Sequence, residues 1–167
     1  KITDFSSFHR GKMTKISIAI DAAHREETRI AVLGSDGLVY CAGVNTKGSL
    51  GDGTAAGTGR YSLGPVRISA STTLGNIKSI YMGIGRYNDN NQAFALDGSG
   101  NLWAWGYNGN GVLGQGNTTD SLYAIQVTVI GPANGKTAIT NFWCAPYGDG
   151  CNCFAVDTAR RSWTWGY

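Results

Sequence analysis

The chain is predicted to be all-β, built from a four-stranded antiparallel unit repeated about three times, and two observations carry that prediction. The first is repetition. Gly43-Val44-Asn45 through Gly48-Ser49-Leu50-Gly51-Asp52-Gly53 recurs without a gap, 63 residues on, as Gly106-Tyr107-Asn108 through Gly111-Val112-Leu113-Gly114-Gln115-Gly116, and seven of the 17 positions from Gly37 to Gly53 are identical. Phe154 to Tyr167 repeats Phe94 to Tyr107 at a spacing of 60 residues, again without a gap. A clean period of this length marks one supersecondary unit per repeat. The second observation is alternation: short β-branched or aromatic runs punctuated by Gly, Asn, Asp or Ser, with no helical stripe between them.

Residues 65 to 106 show the predicted strands best. Pro65-Val66-Arg67-Ile68 is the first, Ile77 to Met82 the second, Gln92 to Leu96 the third and Leu102 to Trp105 the fourth. In the third strand Phe94 and Leu96 share one face and the small Ala93 and Ala95 the other; in the fourth, Trp103 and Trp105 share a face. Such strands bury a bulky face against a neighbouring sheet, so at least one of the two indoles is expected to be buried. Asp97-Gly98-Ser99-Gly100 closes a tight hairpin whose glycines supply positive φ, and Ser35-Asp36-Gly37 does the same earlier. The third copy carries Thr158-Ala159-Arg160-Arg161 here, which predicts ordinary φ values or a looser turn. Among Gly106, Gly111 and Gly114 at least one positive φ is expected, because the chain reverses there.

A four-stranded antiparallel unit repeated about an axis is a β-propeller blade. The signature Trp-Gly-x-Asn-x-x-Gly-x-Leu-Gly-x-Gly, complete in the middle copy, resembles the regulator of chromosome condensation repeat family, over about Lys15 to Tyr167. The resemblance implies blades of a propeller usually seven-bladed, here of a bacterial or phage-type member. The first copy departs from it, with Ala42 in place of the tryptophan before Gly43, and no copy keeps the Gly-x-x-His step that family members often carry before the third strand. The expected organisation is a single partial propeller domain, 1–167, with blade 1 at 1–53, blade 2 at 65–116 and blade 3 at 123–167. Thr14 to Ile20 aligns with a second strand. About three blades cannot close a ring that needs roughly four to eight. Further blades are therefore expected, from a longer polypeptide or from several chains.

Composition bounds the partners. With 14 basic against 11 acidic residues, a net charge of +3, the chain lacks the dense basic stripe that phosphate-backbone binding needs, so no nucleic-acid partner is expected. No apolar run is long enough to span a membrane. The two histidines, His9 and His24, lie near the amino terminus, and the two glutamates are the adjacent Glu26 and Glu27, so a nucleophilic triad has nothing to stand on. Asp89, Asp149 and the glutamate pair could converge for glycoside cleavage, but turn aspartates read the same way. The glycine clusters follow a strand without opening a helix, which removes the phosphate-loop reading. Asn88-Asp89-Asn90-Asn91 offers one carboxylate, too few for calcium. No cofactor and no metal are expected, and the chain is read as a non-enzyme.

Cys41 aligns with Ala104 and Thr164, as a small packed residue would. Cys144, Cys151 and Cys153 bracket a loop between two strands. A cross-strand bond between Cys144 and Cys151 would close it if their Cβ atoms approach. Cys-x-Cys is not the Cys-x-x-Cys spacing of common zinc sites.

Strand parity points to function. Antiparallel strands reverse direction, so Asp21 to Thr28, Val44 to Gly64, Gly83 to Asn91, Tyr107 to Leu122 and Ala145 to Cys151 emerge on one face, and these are the long loops. Binding concentrates on such loops. Arg86, Tyr87, Asn108 and Tyr147 are the predicted ligand-binding residues: tyrosine and arginine supply contact area and directional donors, and asparagine suits hydroxyl-rich ligands or protein backbone. Low charge and a bias to Asn, Thr and Gly favour a structural or receptor-binding module of a virion, such as a phage tail or fibre, or of a bacterial surface, extracellular in location and contacting protein or glycan. The competing readings are an intracellular exchange-factor or chromatin-docking propeller and, third, a glycan-processing enzyme.

Overall fold

The computed structural model describes residues 11–20, 28–54, 57–83, 91–132, 135–147 and 150–166, with the side chains of residues 146, 147 and 150 left aside. Among the described residues it is all-β apart from a single 3₁₀ turn at Thr46–Gly48. The first sheet orders β1 (Met13–Ile20), β2 (Thr28–Gly34), β3 (Val39–Gly43) and β4 (Arg60–Pro65) side by side. The second does the same with β5 (Ile77–Met82), β6 (Gln92–Asp97), β7 (Leu102–Gly106) and β8 (Ser121–Gln126), and the third with β9 (Ile139–Tyr147), β10 (Gly150–Asp157) and β11 (Ser162–Gly166). Every pairing is antiparallel.

The pairing corrects the blade boundaries. Residues 65–68 do not begin the middle sheet: Arg67 makes only an isolated bridge to Thr73, and the strand at this point is Arg60–Pro65, where Pro65 pairs with Tyr40 and Arg60 with Gly43 as the fourth strand of the first sheet. The sheets run 13–65, 77–126 and 139–166 instead of dividing at 53, 65, 116 and 123. The physical reason is proximity. After the glycine-rich loop the chain lies beside the open edge of β3, and antiparallel return to the strand just left requires no crossover.

The alternation reads as expected. Ala93 and Ala95 face the first sheet in one core with Ala31, Leu33, Cys41, Leu50, Met82 and Trp105, and Trp103 packs on its margin. Trp105 is fully buried, opposite Ala93 in the ladder, where a small residue leaves space for the indole. Phe94 and Leu96 point the other way, into a second core with Leu102, Val112, Leu113, Ile139 and the three cysteines of the third sheet. Trp163 and Trp165 pack on this inner core and not on an outer face. Apolar groups left in solvent include Ile16, Ile18 and Ile20 on the first sheet and Trp143 and Phe154 on the third.

The hairpins repeat closely. Asp97 Oδ1 accepts the backbone N–H groups of Ser99 and Asn101, and Trp103 Nε1 donates to Asp97 Oδ2 at 3.0 Å. In the third sheet Asp157 Oδ1 accepts from Ala159 and Arg161, and Trp163 Nε1 donates to Asp157 Oδ2 at 3.1 Å. The turn at Thr158-Ala159-Arg160-Arg161 is therefore neither looser nor ordinary: Arg160 takes φ +62°, in the region that Gly37 and Gly100 occupy at +75° and +82°. The aspartate's hydrogen bonds impose the geometry on a residue with a Cβ. In the first sheet Gly34 replaces that aspartate and Tyr40 the tryptophan, and the Tyr40 hydroxyl donates to Asp36 at 2.9 Å instead.

Candidate binding face

The long-loop face is held by a lock between successive sheets. The indole of Trp105 passes under the loop after β3 and donates from Nε1 to the Ser49 carbonyl at 3.1 Å; Trp165 donates to the Val112 carbonyl, one repeat later, at 2.9 Å. Leu50 and Leu113 fill the core beneath. The glycines serve this approach. Gly51 and Gly114 take φ +64° and +65°, and a Cβ on Gly51 would lie 2.8 Å from the Trp105 ring. Gly106 and Gly111 also have positive φ, so all three glycines in question behave as expected.

Asparagine closes each loop. Asn45 Oδ1 accepts from Leu50 N at 3.0 Å while its Nδ2 reaches Thr54. Asn108 Oδ1 accepts from Leu113 N at 2.8 Å, and its Nδ2 donates to the carbonyls of Asn117 and Thr119, both at 3.0 Å. Asn108 is fully buried, and these bonds shape the loop from within. Of the other predicted binding residues, Arg86 and Tyr87 lie outside the described residues, as does the side chain of Tyr147; Asp89, Asp149, Glu26 and Glu27 are outside them too.

What the described face presents is polar loop and backbone: Thr54, 57–59, Gly109 and 116–119 are exposed, with Tyr61 at the loop's edge 63% exposed. Lys47 and Asp120 approach to 3.8 Å across the boundary between the two sheets. Both are solvated, so the pair adds at most about 1 kcal/mol. Arg60 is held more firmly, 2.9 Å from Asp52 and donating to the Cys41 carbonyl. Beneath the loops Thr46 Oγ1 accepts from Arg29 and Asn91, joining the two sheets. The sequence pattern missed the buried Arg29 because nothing in a strand's alternation marks a charged residue as interior. Among the described residues no helix is long and apolar enough to cross a membrane.

Between the second and third sheets the structure gathers Cys144, Cys151 and Cys153. Cys144 stands opposite Cys153 in the ladder, not Cys151, and all three thiols are free and buried, with sulfurs within 4.8 Å of one another. Burial pushes Cys144 and Cys153 up, whereas hydrogen bonds from those two thiols hold Cys151 low. Cys41, alone in the first core, is pushed up to about 12 by burial, as a small packed residue would be.

No protein-family model matches the sequence, and no curated protein does. Solved structures do. Human WBSCR16 superposes with a TM-score of 0.66 at 19% identity, over 98% of this chain and 34% of that one. Yeast RCC1 (Prp20), in a complex bound to Kap60, gives 0.66 at 16% identity over 97% and 31%. Prp20p from Saccharomyces cerevisiae, in a structure described together with its binding to Gsp1p and histones, gives 0.54 at 17% over 83% and 30%. The fold is that of RCC1-type propeller blades, and the chain spans about a third of the length of these structures.

Proposed function

We propose that this chain is a non-enzymatic propeller segment that docks a protein partner on its long-loop face. One observation carries the reading: the indole and asparagine locks repeat from sheet to sheet and hold glycine-rich loops with exposed polar groups in fixed positions on one face. A preorganised loop loses little entropy on binding, which is what a docking surface needs. The structural neighbours add support for the intracellular docking reading, since two of them are yeast proteins described with protein partners, Kap60 in one case and Gsp1p and histones in the other. The virion or bacterial-surface setting, and a glycan partner, rest on the composition of the chain alone. A photo-crosslinking residue placed at Tyr61 or Thr118 is expected to capture a protein in cells, and the same residue at Ser71 or Ser99, on the opposite face, is not. Capture confined to Ser71 and Ser99 would refute the proposal.

A further inference from the structure

We propose that Cys144, Cys151 and Cys153 form a binding site for one thiophilic d¹⁰ metal ion, zinc(II) or copper(I), buried between the second and third sheets, with the carboxamide of Gln92 supporting it from β6. Three free thiols on one face, all within 4.8 Å, match the ligand class that soft ions select. Sulfurs bound to one zinc ion stand about 3.8 Å apart, so small side-chain rotations would close the triangle.

The second observation is Gln92. It is 1% exposed, and among the described residues its carboxamide has no partner other than the Cys151 thiol, against which it lies. An amide N–H donates more strongly to a metal-bound thiolate than to a neutral thiol, and such outer contacts tune metal sites.

The chain contains its own control. At the interface one repeat earlier the ladder partners Cys144 and Cys153 are replaced by Met82 and Ala93, and Cys151 and Gln92 by Asn91 and Arg29. That interface packs well without a single thiol at these positions, so the fold itself does not call for cysteine there. Arg29 and Asn91 meet on Thr46, the polar linkage that the second interface replaces with sulfur and a carboxamide.

The test is a metal titration of the full-length protein, kept reduced and free of oxygen, with zinc(II) and, separately, copper(I) against a competing chelator. Expected are one tightly held equivalent, protection of three thiols from alkylation, and thiolate charge-transfer bands when cobalt(II) replaces zinc. Cys144→Ser and Cys153→Ser should each lower affinity at least a hundredfold and Gln92→Ala about tenfold, while Cys41→Ala leaves it unchanged. Retention of zinc or of copper(I) identifies the ion. If the serine variants do not fold, the wild-type titration and the thiol-protection count decide alone. An absence of stoichiometric binding by either ion, with all three thiols alkylated freely, would overturn the proposal, as would a disulfide within the cluster in protein purified without added oxidant.

Discussion

Asn108, Trp105, Asp157 and Arg160 each act through one local geometry. Asn108 joins Leu113, Asn117 and Thr119 inside a buried loop. Replacing it with alanine orphans several of these groups and is expected to cost about 3 kcal/mol in a denaturant titration; a loss under about 0.5 kcal/mol would show that water takes over its bonds. Trp105→Phe keeps most of the buried ring but removes the donor to Ser49, with an expected loss of about 1–2 kcal/mol. Arg160→Gly should stabilise by about 0.5–1 kcal/mol, because glycine accepts φ +62° without strain. A destabilised variant would show that the arginine side chain itself contributes. Asp157 offers a pH test. Burial would raise its carboxyl, but hydrogen bonds from Thr137, Arg161 and Trp163 outweigh that and hold it well below the usual carboxylate range. A folded-state value below the unfolded one means the stabilisation is complete above about pH 4. It is then lost as pH falls through the lower folded value. Asp157→Asn should flatten this acid limb of the stability profile.

At the scale of the element, the unit of construction is a sheet joined to the loop that follows its third strand. The period of the motif made this legible: Gly43, Asn45, Gly48, Leu50 and Gly51 have the same roles as Gly106, Asn108, Gly111, Leu113 and Gly114. The assignment of Arg60–Pro65 was not legible, because Arg-Tyr-Ser-Leu-Gly-Pro carries neither a clear apolar alternation nor any mark of which neighbour it will pair with. Hydrogen bonds decide it, and so residues read as the end of a long loop form the fourth strand of the first sheet. At the other face the hairpins also link sheets, with Ile77 N donating to the Gly37 carbonyl and Ile139 N to that of Gly100, each at 2.9 Å. Hydrogen exchange should therefore find the amides of Ile77 and Ile139 as protected as those inside strands. Fast exchange at these two amides would show that the links open independently of the sheets.

For the whole molecule, both ends present apolar surface. Ile16, Ile18 and Ile20 are each more than half exposed, and so is Trp143 beside Phe154 at the far end. Patches of this kind mark contact surfaces. Expressed as residues 1–167 alone, the chain is expected to self-associate with rising concentration, and Ile18→Lys together with Trp143→Lys to reduce that association in sedimentation. A monomer at all concentrations, unchanged by the double variant, would show that these faces need no cover.

The sequence by itself determined the repeat, the strand alternation and the turn chemistry, because each depends on residues close together in the chain: an indole two positions from its neighbour, a glycine where the backbone reverses. That at least one of Trp103 and Trp105 would be buried was readable from strand parity, which is local; that it is Trp105, opposite the small Ala93, was shown by the pairing. Only the tertiary structure decided that Asn108 turns inward, that Arg160 adopts a glycine's conformation, and that Cys144 faces Cys153. Those outcomes depend on what the next loop or sheet brings to within a few ångströms, and contacts of that kind have no fixed spacing along the chain from which they could be read.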